Sequence, residues 1–155
     1  MRNYYLAHPL SKRLEVRKFQ LRIEGKYNIK FINPFYNNEH ERKEIEKLDS
    51  MKYKKDRNEY KQSWDLNTCH NIVNIDLEFI RKSDGLVAYM PTPTIGTVQE
   101  VIMAAFIYRI PVYIITKDYM YHPWLKSEVA RSNGRMFKNI TEFKKYLKET
   151  VGERK

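Results

Sequence analysis

The sequence predicts an α/β fold, a five-stranded parallel sheet with helices on both faces. Two observations carry the prediction. Short apolar runs alternate with longer segments of helical periodicity, and parallel neighbours need crossovers of that kind. Runs such as "GLVAYM" and "PVYIIT" are apolar throughout rather than alternating, as strands covered on both faces are. A chain of 155 residues suits a single domain over residues 1–155 and is long enough to bury a core.

The elements follow in order. "NYYLAH" (3–8) reads as the first strand. A helix begins at about Ser11, its candidate N-cap, with Leu14 opening an apolar face continued by Val16, Phe19 and Ile23. "NIKFIN" (28–33) is a strand stopped by Pro34. A polar insert over about 37–70 is expected to hold one or two exposed helices. "NIVNIDLEFIRKSD" (71–84) places Ile72, Ile75, Phe79 and Ile80 at helical spacing. "GLVAYM" (85–90) is a buried strand, "TVQEVIMAAFIYR" (97–109) a buried helix and "PVYIIT" (111–116) a further strand. "WLKSEVARS" (124–132) reads as a short helix, "GRMFKN" (134–139) as the last strand and "ITEFKKYLKET" (140–150) as a closing amphipathic helix. Five strands joined this way fit a doubly wound, flavodoxin/Rossmann-like order.

Composition narrows the function classes. No apolar run approaches the roughly 20 residues of a bilayer span, and the N-terminus carries no signal-peptide pattern. The single cysteine, Cys69, provides no disulfide framework and fits a reducing compartment, so a soluble, cytoplasmic protein is expected. His8, His40, His70 and His122 lack metal-ligand spacing, so no metal is expected. There is no GxSxG, GxxxxGK[ST] or GxGxxG, and no cofactor is expected. The net charge is +10, with cations gathered at Lys12, Arg13, Arg17, Lys18, Arg22 and Lys26, and again at Lys138, Lys144, Lys145, Lys148 and Lys155. Such a surface draws phosphate-bearing partners, and is equally an ordinary solvated face. The aromatics in "MKYKKDRNEYKQSW" (51–64) read as parts of surface helices rather than a nucleic-acid platform.

In doubly wound sheets ligands sit beyond the carboxyl ends of the strands, at the switch point. That directs attention to "AHPLS" and "MPTPTIGT", and to His8, Ser11, Pro91, Thr94, Gly96 and Thr97 as binding candidates. Glu100 follows in what reads as the first turn of a helix, where the dipole and free N–H groups keep a carboxylate ionised. Such a group is either a nucleophile or a plain dipole partner. Asp76 interrupts an apolar helix face and wants a partner. Tyr5, inside the first strand, is either a core residue or a phenol that orients a carboxylate.

Together, "YYLAHP", "NIDLEFIRKSDGLVAYM" and "GTVQEVIMAAFIYRIPVYII" make the chain resemble the nucleoside 2-deoxyribosyltransferase family and its 2′-deoxynucleoside 5′-monophosphate N-hydrolase relatives. The "GTVQE" element also resembles the GTxxE of cytokinin-activating phosphoribohydrolases, without their preceding PGG. The resemblance implies that Glu100 attacks C1′ of a nucleoside, that Tyr5 contacts Glu100 and that Asp76 lies toward the base. It implies nucleoside or nucleotide and free nucleobase as small-molecule partners, with no nucleic acid or membrane. It also implies a homodimer or larger homo-oligomer, with residues 121–132 closing a neighbour's site. Thr94 stands where transferases often carry a second aspartate, and "AHPLSKR" replaces the hydrolases' phosphate loop, with Ser11, Lys12 and Arg13 available to a phosphate. Transferase and hydrolase both remain open at this point.

Overall fold

A computed structural model describes residues 1–154; Lys155, the last of the C-terminal cations, lies outside the described residues. The strands are β1 (Arg2–Ala7), β2 (Ile29–Ile32), β3 (Gly85–Tyr89), β4 (Val112–Ile115) and β5 (Arg135–Phe137). They form one parallel sheet in the order β2-β1-β3-β4-β5, the predicted doubly wound arrangement. The helices are α1 (Arg13–Lys26), α2 (Pro34–Asn37), α3 (Glu39–Ser50), α4 (Lys54–Gln62), α5 (Leu66–Arg81), α6 (Ile95–Ile102), α7 (Pro123–Arg131) and α8 (Ile140–Thr150). None of the helices is long and apolar enough to cross a membrane, among the described residues.

Strand parity sorts the core into two layers. Tyr4, Leu6, Val87, Tyr113 and Ile115 face α1 and α8, where Val16, Phe19, Ile23, Phe143 and Leu147 complete one cluster. Tyr5, Ala7, Leu86, Ala88 and Ile114 face the other way, onto Ile80, Val101, Ala104, Leu125 and Val129 from α5, α6 and α7 and the turn after α6. The second layer is the one that holds the site. Parity therefore decides that Tyr5, and not its neighbour Tyr4, points toward α6.

Several boundaries differ from the sequence reading for local reasons. Pro9 and Leu10 open a 3-10 turn, Leu10–Lys12, closed by Lys12 N–H donating to Pro9 O at 2.9 Å. The α-helix starts only at Arg13, so Ser11 caps nothing, and Leu14 is exposed rather than apolar-face. Pro34 does end β2, but it also occupies the first turn of α2, where a missing N–H is harmless. The polar insert contributes α3 and α4, of which α3 buries Ile45 and Leu48. The predicted helix over 97–109 begins earlier, at Ile95, and loosens into a π-helical segment, Met103–Tyr108. That segment stops at Arg109, whose φ of 54° is left-handed, turning the chain into β4.

Candidate active site

A cavity of about 740 Å³ opens beyond the carboxyl ends of β1 and β3. Its walls come from five places, one of them α4 and its end, which supply Lys61 and Trp64. His8 and Leu10 follow β1, Phe35 and Glu41 follow β2, and Ile72, Asp76 and Ile80 come from α5. Thr94, Gly96, Thr97, Glu100 and Met103 come from the start of α6 and beyond. The volume lies in the range that holds a drug-sized or nucleoside-sized molecule.

Glu100 is the sixth residue of α6, not a first-turn residue, because the helix starts at Ile95 and its first turn carries no acidic side chain. Free N–H groups and the dipole end therefore do not hold it charged. It is half-buried, and its Oε1 accepts a 2.6 Å hydrogen bond from the buried Tyr5 Oη. Burial pushes the Glu100 carboxyl up to about 8; the Tyr5 bond works against that rise and the Asp76 charge adds to it. The Tyr5 phenol is pushed well above its ordinary value by burial first and by Glu100 next, so it stays a donor.

Asp76 has the partner that its place on α5 demanded. Asn38 Nδ2 donates to Asp76 Oδ1 at 2.9 Å and to the Ile72 carbonyl at 3.1 Å. The same Asn38 caps α3, its Oδ1 accepting from the His40 and Glu41 N–H groups. One buried amide thus ties the start of α3 to α5. Burial pushes Asp76 up to about 6, with the Asn38 bond opposing.

A third carboxyl, Glu41, completes the set. Its Oε2 is buried without a hydrogen-bond partner, and burial together with Asp76 and Glu100 pushes it up to about 9. Trp64 Nε1, also on the cavity wall, is likewise buried and unpartnered. Two orphaned polar groups aimed at one cavity are what a bound polar ligand would satisfy. Sequence reasoning missed both, because residues 37–70 looked like solvent-facing charge. The one available signal was a tryptophan amid that charge, and it was read as surface. Lys61 is the only cation lining the cavity among the described residues.

The remaining predicted residues divide. His8 is buried, with Nε2 3.2 Å from Asn33 Oδ1, Nδ1 3.2 Å from the Pro9 carbonyl and its ring edge-on to Phe35. Asn33 Nδ2 donates to Gln20 Oε1, so its Oδ1 faces His8 and both ring nitrogens meet oxygen acceptors. Burial lowers the His8 pKa and favours the neutral ring. The Thr94 and Thr97 hydroxyls lie 2.9 Å apart on the cavity rim. A Cβ on Gly96 would meet nothing within 4 Å, so that backbone is open to a ligand. Ser11 and Pro91, in contrast, do not line the cavity. Ser11 sits exposed in the 3-10 turn, Lys12 pairs with Glu15 at 3.2 Å and Arg13 with Asp49 at 2.5 Å, so these cations are engaged elsewhere. Among the described residues no three His, Cys, Asp or Glu side chains are grouped to hold a metal ion.

No family model matches the chain, and no curated protein is significantly similar to it. Solved structures do match, two enzymes among them. One is the 2-deoxyribosyltransferase of the psychrotolerant bacterium Bacillus psychrosaccharolyticus, with a TM-score of 0.62 and 13% identity, covering 99% of each chain. The other is the CMP N-glycosidase of Clostridium botulinum, with a TM-score of 0.53 and 15% identity, covering 96% of this chain and 99% of that one. The chain shares their fold.

Proposed function

We propose that the protein is an N-glycosyl-transferring enzyme of the nucleoside 2-deoxyribosyltransferase kind. It cleaves the N-glycosidic bond of a 2′-deoxynucleoside through a covalent glycosyl–Glu100 ester and passes the sugar to a second nucleobase. The observation that carries this reading is the 2.6 Å Tyr5–Glu100 hydrogen bond in a cavity shared with two further carboxyls. Two fold neighbours named for transfer and cleavage at nucleosides and nucleotides support it.

The chemistry assigns each group a task. A Glu100 oxygen attacks C1′ while the C1′–N bond breaks, and the bonding pair leaves with the base. The departing base takes a proton from a carboxyl across the cavity. Glu41, whose raised pKa keeps it protonated at neutral pH, suits that donation, as does Asp76 when protonated. Glu100 attacks as the carboxylate: its proton passes to the ionised Asp76, which then holds it for the departing base, and positive character developing at C1′ favours that exchange. Tyr5 is a positioning residue that fixes the attacking oxygen. In the second half, a nitrogen of the incoming base attacks C1′, the C1′–O bond to Glu100 breaks with its pair returning to the carboxylate, and the base's proton goes to the carboxylate that had protonated the departing base. His8, Thr94, Gly96 and Thr97 form the sugar and base surroundings in this reading, while Ser11 and Pro91 have no part in it.

A second reading replaces the incoming base by water and the nucleoside by a 5′-monophosphate. It is favoured by Lys61, a cation positioned on the cavity wall for a phosphate. In either case we take the working form to be a homodimer or larger, with residues 121–132 over a neighbour's site. Tyr121 and Trp124 in that segment stand exposed on their own domain, as interface anchors do. The single cysteine fits action in the cytoplasm.

The test is a panel of nucleosides and 5′-monophosphates incubated with and without a second free base, the products separated by chromatography. Base exchange is the expected result, and free base plus sugar phosphate assigns the second reading. Saturable nucleotide binding with neither product refutes catalysis and leaves a binding protein on the same fold.

A further inference from the structure

A second cavity, of about 290 Å³, lies behind α6, away from Glu100. Val98 and Ile102 line it, whereas Glu100 lines the first cavity, and residues two apart on a helix point to opposite sides. No described residue lines both cavities. The walls are mostly apolar, built by Met90, Pro93, Val98, Ile102 and Leu125, with the rings of Tyr119 and Trp124 and the imidazole of His122 beside them. Into this lining α7 places one carboxyl, that of Glu128. The residue is 1% exposed and its Oε2 has no hydrogen-bond partner. Nothing in the chemistry proposed above uses it.

An unpaired carboxyl in an apolar wall is costly to bury, and a chain that keeps one there leaves the pairing to something else. We propose that this cavity is a second ligand site, taking a small organic cation: an ammonium or amidinium group on an apolar body. The cation would meet Glu128, the body would replace water among Met90, Val98, Ile102 and Leu125, and the aromatic faces would add cation–π attraction. The volume suits a molecule of roughly ten heavy atoms, taking the share a water occupies in the liquid. Burial pushes the Glu128 carboxyl above its ordinary range, and a cationic ligand reverses that shift. The site shares no lining residue with the first cavity, although Trp124, Leu125 and Glu128 fall within the 121–132 segment that the oligomer reading places over a neighbour's site.

Benzylammonium is the probe, with benzyl alcohol and benzoate as neutral and anionic controls of the same shape. Each is titrated into the full chain and followed by amide NMR and thermal melting. Benzylammonium is expected to bind saturably with Kd on the order of 1 mM, to shift the amides of Met90, Val98, Ile102 and Glu128, and to raise Tm. The two controls should bind at least about tenfold more weakly, the discrimination a charge-assisted hydrogen bond supplies. Glu128→Gln keeps the shape and should lose the same factor. Equal binding of benzyl alcohol, or unchanged affinity in Glu128→Gln, overturns the proposal. So do absent shifts at those four amides up to on the order of 10 mM ligand. A wild-type oligomer that Glu128→Gln dissociates in sedimentation also overturns it, assigning the carboxyl to a Lys or Arg of a second copy. Should Glu128→Gln fail to fold, the wild-type shift map and the comparison of three ligands decide the matter alone.

Discussion

Replacing Glu100 by glutamine should abolish glycosidic cleavage and, at the same time, make the protein more stable above neutral pH. The reasoning starts from the carboxyl's environment. Its pKa rises from an ordinary 4.5 to about 8 on folding, chiefly through burial. Below the lower value both folded and unfolded chains hold the proton, and Glu100 adds no pH dependence. Between the two values the unfolded chain releases a proton that the folded chain keeps, so stability falls as pH rises. The slope is about 1.4 kcal/mol per pH unit, giving a cost on the order of 3 kcal/mol at pH 7 and about 5 kcal/mol above pH 8. Glutamine is nearly isosteric, its amide oxygen still accepts from Tyr5 Oη, and it does not titrate. Urea unfolding at intervals from pH 5 to 9 measures the effect. The wild type should lose stability across that window, and Glu100→Gln should lose less, with a gain on the order of 3 kcal/mol at pH 7. Chromatography of nucleoside incubations gives the activity. A variant that still releases base at near wild-type rate refutes the nucleophile. A variant with an unchanged pH slope refutes burial as the source of the raised pKa.

Two further outcomes follow from the same site. Tyr5→Phe removes the only bond that draws the Glu100 pKa down, so base release should fall about 10- to 100-fold and the basic-side limb of the pH–rate profile should move to higher pH. A uniform loss without that displacement would reduce Tyr5 to a packing residue. Asn38→Ala strips a helix cap, removes the second donor to the Ile72 carbonyl and leaves Asp76 without its donor, which together should cost about 3 kcal/mol in urea unfolding. It should also move the Asp76 titration upward, visible as a shifted acid-side limb, since the Asn38 bond is what opposes burial there.

Much of the architecture was legible in the sequence because it follows from local rules. The continuous apolar runs marked β3 and β4 as strands covered on both faces, and helical spacing placed Val16, Phe19 and Ile23 inward. The alternation of elements implied the doubly wound strand order that the sheet adopts. Strand ends and family motifs pointed to Tyr5, Asp76 and Glu100, which the folded chain brings to one cavity, Tyr5 through its bond to Glu100. Local rules failed where two start signals competed. At Ser11 the preceding Pro9 drew the chain into a 3-10 turn, and at Glu100 the helix had already begun at Ile95.

What only the tertiary structure decided is the electrostatic character of the site. From its place in the chain, Glu100 looked like a carboxylate held charged by a helix start. Packed against Tyr5 and sharing its cavity with Asp76 and Glu41, it is instead a carboxyl that holds its proton to about pH 8. Glu41 and Trp64 were invisible for the same reason. Desolvation depends on which distant segments close over a group, and Glu41 of α3, Asp76 of α5 and Glu100 of α6 line one cavity only in the folded chain.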